Sequence, residues 1–333
     1  MKLSYRKASM FVILICLLLG MSVPSSLSAQ VPENRLICTF SIVARDSAAG
    51  ELGVAVASRF FAVGTVVPWA EADAGAVATQ SFANTSFGPR GLEMLKKGMT
   101  PEEVLKDLLK NDDNPEQRQV GIVSRDGKSV TYTGSKCLPW AGGRSGRNYA
   151  VQGNILTGED VVINMEKTFL STKGTLADRM YAALLAGDKA GGDSRGKQSA
   201  ALIVVKDKAG YGGYNDRAID IRVDDSKEPF KELGRLLNYA QMNYAWNEGW
   251  TLFTEKKPQE ALPYMDHAVS IMPDNPELLY DYAIIELAAG KKDASLGSLK
   301  KAISLNPKLK KQAQGDNDLQ ALRDDPQFKE LIK

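Results

Sequence analysis

The stretch LICTFSIVARD, residues 36–46, sets Cys38 and Thr39 side by side at the head of an alternating run. Thr39, Ser41 and Val43 fall on one side of it and Phe40, Ile42 and Ala44 on the other, the period of a strand with two distinct faces. A turn, DSAAGE (46–51), leads into LGVAVAS (52–58), and the two runs read as a β-hairpin. Threonine is a strand former by default, and cysteine a small buried hydrophobe or half of a disulfide. Whether either is also a nucleophile decides the functional reading.

The 333 residues suffice for two domains, and 44% apolar with 25% charged residues is an ordinary globular balance. A formal net charge of +2, with no basic stripe, implies no nucleic-acid partner. Residues 1–29 read as a secretory signal peptide: Lys2, Arg6 and Lys7, then FVILICLLLG (11–20), too short to span a bilayer with margin, then the small residues SSLSAQ. Cleavage is expected after Ser28 or Ala29, giving a secreted or periplasmic chain with no membrane segment afterwards. Ile15 before Cys16 is not the small residue a lipoprotein signal wants. Of three cysteines, Cys38 and Cys137 survive cleavage, and a disulfide between them and two separate buried thiols remain open alternatives.

Residues 37–237 form a first domain of short strands, mostly hairpins, with paired helices. AGAVATQ (74–80) is a third strand, and two helices follow, GPRGLEMLKKG and PEEVLKDLLK. Thr100 caps the second of these, with Pro101 at its first position and Glu103 completing the box. QVGIVS and KSVTYTG pair around Arg125–Lys128; NYAVQGN (148–154) is a strand running into a loop. EDVVINMEKTFL and TLADRMYAALLAG are helices, the second closed by Gly187. A glycine-rich loop, AGGDSRGKQ (190–198), precedes the strands SAALIVV and RAIDIRV. The pattern is layered α+β, antiparallel sheets covered by helices.

Residues 242–333 are helical and internally repeated at 34 residues: Gly249 maps to Ala283, Met265 to Leu299, Ala268 to Ala302, Pro273 to Pro307. Small residues where helices touch and a proline after the second helix resemble a tetratricopeptide repeat. Two repeats are visible, with DLQALRDDPQFKELI as a cap; so few should pack on the preceding domain and offer a docking surface for a protein partner.

The composition restricts the chemistry. The one histidine, His267, lies in the repeats and reads as a helix-surface or packing residue. The first domain therefore holds no Ser-His-Asp or Cys-His arrangement and no histidine-based zinc or iron site, and no cofactor is expected. A hydrolase without histidine needs another base, and a free α-amine on an N-terminal threonine, serine or cysteine supplies one, titrating near 8. The glycine-rich loop lacks the Lys-Ser/Thr ending of a nucleotide-binding loop.

TFSIVARD (39–46), GELGVAVASRFFAVG (50–64), VVPWAEADAGAVATQ (66–80), GPRGLEML (88–95), CLPWAG (137–142), YAVQGN (149–154), AGGDSRGKQSAALIVV (190–205) and GYGGYNDRAIDIRVDD (210–225) together resemble the Ntn-hydrolase-like domain-of-unknown-function family 1028. The resemblance implies a four-layer αββα sandwich, and many members begin at the threonine matching Thr39. Here a second cut beyond the signal peptide is needed, after Cys38 to free Thr39 or after Ile37 to free Cys38. Ala57-Ser58-Arg59 lacks the acid that proteasome-type members of the wider superfamily place before Ser-Arg, and PWAEADAG lacks their lysine. Arg59 would supply positive charge, as arginine does in the penicillin and bile-salt acylase branch.

The expected fold is thus an αββα sandwich followed by a tetratricopeptide-like array. The expected catalytic set is Thr39 or Cys38 as nucleophile, Arg59 as cation, and Asn154 as oxyanion donor beside Gly153, which would admit a ligand closely. Ser58, Gln80, Asn84 and Asp193 are the candidate substrate contacts, with Asp193 and Arg195 pairing to anchor their loop. Asn215, Asp216 and Arg217 read as turn residues. The expected substrate is a small peptide, acylamino or cell-wall-derived amide; the alternative is a catalytically silent module that binds a ligand or protein.

Overall fold

The computed structural model describes residues 39–333. The segment expected to be a signal peptide, its expected cleavage point, Cys16 and Cys38 lie outside the described residues.

The alternation at residue 39 becomes β1 (Thr39–Asp46), and the hairpin partner is β2 (Glu51–Ser58). Asp46 Oδ1 accepts from the backbone N–H of Ala48 and Ala49, closing the turn between them. Then come β3 (Pro68–Glu71), β4 (Gly75–Ser81), α1 (Phe87–Lys96), α2 (Pro101–Lys110), β5 (Arg118–Ser124), β6 (Ser129–Thr133), β7 (Gly142–Gly146) and β8 (Tyr149–Asn154). Two helices, α3 (Asp160–Ser171) and α4 (Leu176–Lys189), precede β9 (Ser199–Val205) and β10 (Arg217–Val223). The capping box expected at Thr100 and Glu103 is present, and a second one joins Thr175 to Asp178 at the start of α4.

All strand pairs are antiparallel. They form a six-stranded sheet in the order β10-β9-β2-β1-β8-β7 and a four-stranded sheet in the order β3-β4-β5-β6. The two faces of β1 part as its alternation predicts. Phe40, Ile42 and Ala44 pack against α3 and α4 on the outer face, with Val161, Met165 and Met180. Val43, with Val54, Val56, Ala150 and Ile203, packs inward against Ala76, Ala78 and Val123 of the second sheet. The outer face of that sheet, Val77, Val120 and Ile122, is covered by Phe87, Leu92, Val104 and Leu108 of α1 and α2. Helix, sheet, sheet, helix are therefore the four layers, each alternating strand burying both its faces.

Two strands exceed the sequence reading, β3 and β7, and one helix end differs. Gly187 does not close α4, which continues to Lys189. A Cβ at Gly187 would stand 2.9 Å from Met165 Cγ and 3.1 Å from Phe40 Cε2, so this glycine permits the helix to lie close to α3 and the sheet.

From Pro229 the chain is helical: α5 (Pro229–Thr254), α6 (Pro258–Ile271), α7 (Pro276–Ala288), α8 (Lys292–Leu305), α9 (Leu309–Gly315) and α10 (Pro326–Leu331). Both ends of α8 are displaced from those of α6 by the 34 positions of the repeat. Met265, Leu299, Ala268 and Ala302 are fully buried, and a Cβ on Gly249 would meet Met265 Sδ at 2.7 Å. Pro273 and Pro307 each stand two residues past a helix end, and Leu319, Leu322 and Phe328 of the final segment close the stack. The repeats pack on the sandwich through α5. Its first turns bury Phe230, Leu233 and Leu237 in the sandwich core, and its later turns place Met242 and Ala245 against α6 and α7. The Phe230 ring stacks on Phe40 with centroids 6.2 Å apart.

Candidate active site

At one end of the space between the sheets, apolar side chains give way to polar ones. β1 contributes Thr39 and Ser41, β2 contributes Ser58, β8 contributes Gln152 and Asn154, and the facing sheet contributes Gln80 from β4 and Gln119 from β5; all are buried. Register brings the first three together, since Thr39 lies opposite Ser58 on one side and opposite Asn154 on the other. Opposite residues in antiparallel strands share a face.

Thr39 Oγ1 donates to Ser58 Oγ at 3.3 Å. Gln80 Nε2 donates to Thr39 O at 3.3 Å and to Gln119 Oε1 at 2.8 Å, while Ser41 Oγ donates to Gln80 Oε1 at 2.6 Å. Gln152 Nε2 donates to Ser41 Oγ at 2.7 Å. Gln119 Nε2 donates to the Gly153 carbonyl at 2.7 Å and to Thr133 Oγ1 at 2.9 Å, and its Oε1 accepts from Asn154 Nδ2 at 2.9 Å. Buried amides of this kind are stable only when each finds partners. Asn154 Oδ1 is the exception, buried with no partner among the described residues.

The sequence candidates separate on this geometry. Thr39, Ser58, Gln80 and Asn154 share the cluster. Asn84 is not brought to it: its Nδ2 donates to Asp112 Oδ2 at 2.7 Å and its Oδ1 accepts from Ser86, which fixes the loop ahead of α1. Asp193 anchors the glycine-rich loop as expected. Its carboxylate pairs with Arg195 Nη2 at 2.9 Å and also accepts from the Arg59 backbone N–H at 2.9 Å. Arg59 follows Ser58, but its guanidinium is exposed and donates to Arg195 O at 3.2 Å. Gly153 does not open a path for a ligand; a Cβ there would stand 2.5 Å from Leu156 Cδ1 and 3.1 Å from Thr39 O, so the protein itself fills the space. Among the described residues Cys137 has no disulfide partner; it is half-buried, and burial pushes its thiol pKa up. His267 is exposed on α6. Among the described residues no group of three or more His, Cys, Asp or Glu is placed to hold a metal.

Sequence reasoning missed Gln119 and Gln152, although a signal was present. In RQVGIVS, Gln119 shares the parity of Val123, and in YAVQGN, Gln152 shares the parity of Ala150, so both faced the space between the sheets.

Thr39 has 0% exposure, so the cluster is closed as it stands. Open clefts lie elsewhere. One of about 600 Å³ runs along β10 between it and α5, lined by Arg217, Asp220, Asn243 and Glu248. Tyr211 and Tyr214, 82% and 91% exposed, stand on the adjoining glycine-rich turn.

An all-antiparallel four-layer sandwich with a threonine heading a central strand, joined to a tetratricopeptide array, is the class this fold and site define. The chain belongs to a family of unknown function, DUF1028, whose family model matches residues 39–233. Residues 252–325 match a tetratricopeptide repeat, a module that commonly mediates protein interactions. The chain is similar in structure to protein SPO2555 from Silicibacter pomeroyi, solved by crystallography and described as of the same family. The two share 28% identity, with 61% of this chain and 89% of that one covered and a TM-score of 0.56. No curated protein matches the chain.

Proposed function

We propose that the protein is exported and that its sandwich is an N-terminal-nucleophile amidohydrolase, with Thr39 as nucleophile once the chain ahead of it is removed. The observation that carries this reading is the place of Thr39. It is the first residue of β1, its hydroxyl is bonded to Ser58 and it lies opposite a buried amide, in a domain without histidine. Thr39 Oγ1 would attack the carbonyl carbon of a peptide, acylamino or cell-wall-derived amide and pass its proton to the Thr39 α-amine. The oxyanion would be held by the hydrogen of Asn154 Nδ2 not given to Gln119, together with backbone N–H groups. Collapse would break the C–N bond, with the ammonium returning the proton to the leaving amine. Water, deprotonated by the same amine, would then hydrolyse the ester. Ser58 and Gln80 would steady the nucleophile, and Arg59 at the rim would attract an anionic group of the substrate. A cut after Ile37 would give Cys38 the same role.

A second reading is favoured by the enclosure of Thr39 and by the open cleft along β10: a silent sandwich that binds a ligand or protein, with the repeats as docking surface. The N-terminal sequence and intact mass of exported protein separate the two. A chain starting at Thr39 or Cys38 that loses amide-cleaving activity on Thr39→Ala supports the hydrolase. A chain starting near Gln30 and unaffected by that substitution refutes it.

A further inference from the structure

Asn154 Oδ1 is the atom of the polar cluster that the fold leaves unsatisfied. The orientation of its amide is fixed by its neighbours. Gln119 Nε2 donates to the carbonyl oxygens of Gly153 and Gly142 and to Thr133 Oγ1, so Gln119 Oε1 is the atom turned toward Asn154. Only the Asn154 NH₂ can donate to that oxygen, and turning the amide over would set oxygen against oxygen. The unsatisfied atom is therefore an acceptor.

Its donor is sought at the same level of the sheet. Thr39 is directly opposite Asn154, and such residues have Cβ atoms about 4.5–5.5 Å apart. In the uncut chain the Thr39 hydroxyl is given to Ser58. A chain that begins at Thr39 gains an α-amino group with two hydrogens when neutral and three when charged. The side chains joined in the cluster, from Ser41, Ser58, Gln80, Gln119 and Gln152, are uncharged. Beside Ser58 at the end of β2, the guanidinium of Arg59 is directed to Arg195 O, and Asp193, which accepts from the Arg59 backbone N–H, is paired with Arg195.

We propose that Asn154 Oδ1 accepts a hydrogen bond from the α-amino group of Thr39 and so positions the general base; the inference rests on the hydrolase reading above. An amide suits this task better than a carboxylate. It fixes the nitrogen, turning its lone pair toward Thr39 Oγ1, without the negative charge that would hold the group as ammonium and spoil it as a base.

The test uses the full chain with residues 35–38 replaced by Ile-Glu-Gly-Arg, cut by factor Xa to expose Thr39 and labelled with ¹³C-threonine. The Cα resonance of Thr39 is followed from pH 6 to 10. Asn154→Leu is expected to lower the titration midpoint by about one unit, and Asn154→Asp to raise it by more than one. Midpoints identical to the unsubstituted chain in the variants that fold would overturn the proposal. Where the leucine variant does not fold, the aspartate variant decides by its direction alone. No substrate is involved, so shifted midpoints without amide cleavage would sink the hydrolase reading and leave the hydrogen bond standing. Cleavage with unshifted midpoints would do the reverse.

Discussion

Replacing Gln119 by leucine removes the hub of the buried cluster. The side chain ties β5 to β8 through Gly153 O at 2.7 Å and Asn154 Nδ2 at 2.9 Å, to β6 through Thr133 Oγ1 at 2.9 Å, and to β4 through Gln80 Nε2 at 2.8 Å. Not all of these losses count equally. Gln80 Nε2 keeps Thr39 O at 3.3 Å, and Thr133 is only partly buried, so water can replace its partner. The Asn154 amide and Gly153 O are the groups stranded, at about 1–3 kcal/mol each, against about 1.5–3 kcal/mol returned by a buried leucine. Taking the upper part of the penalty for two adjacent enclosed groups gives a net loss of about 2–3 kcal/mol. For a domain of this size that is a fall in Tm of about 4–12 °C. Urea denaturation read by near-ultraviolet circular dichroism would measure it. A leucine variant within about 0.5 kcal/mol of the parent would show that the hydrogen bonds of the cluster are not a net stabilising network, and the argument from their geometry would fail. Gln119→Glu is a sharper control. Its buried carboxyl should have a folded pKa above its unfolded value, so the folded state binds the extra proton. Stability should fall as pH rises from about 4.

Asp193→Ala should cost about 1–3 kcal/mol and quicken proteolysis within residues 190–198, since it strands the backbone N–H of Arg59 and removes the ion pair with Arg195; unchanged cleavage would contradict the anchoring role. Leu299→Ala in the repeats should cost about 2–5 kcal/mol by differential scanning calorimetry, because Leu299 is fully buried between helices. Burial raises the pKa of Asp281 to about 6, with the hydrogen bond from Trp246 opposing it. The folded value exceeds the unfolded one, so this group's stabilisation is full below pH 4 and lost by about pH 6. Asp281→Asn should therefore stabilise the repeats at pH 7 by about 1–2 kcal/mol, after discount for partial exposure, and flatten that pH dependence.

The hairpin at the head of the domain was legible because each residue of β1 declares its face by type, and the repeats because a helix contact admits only small residues at fixed intervals. β3 and β7 were not legible for a common reason: both are edge strands. β3 begins with Pro68, tolerated where no ladder partner needs its nitrogen, and β7 reads GGRSG, with too few side chains to show a period. In the candidate site, Thr39, Ser58 and Asn154 could be grouped because hairpin pairing is local or ends at a strand terminus. Asn84 was grouped with them on sequence proximity to Gln80, but β4 ends at Ser81 and the chain turns away toward Asp112. Gln119 came from the other sheet, and only the packing of sheet on sheet delivers it.

The 26 residues of α5 span about 39 Å at the α-helical rise, and they belong to both halves of the molecule. Leu237 is seated in one core and Met242 in the next, fewer than two turns apart. Dividing the chain between them would sever a rod in mid-span and bare apolar surface on each fragment. In the first turn of the same rod stands Phe230, whose ring rests on Phe40, the peptide neighbour of Thr39, so the helix that carries the repeats is seated one residue from the head of β1.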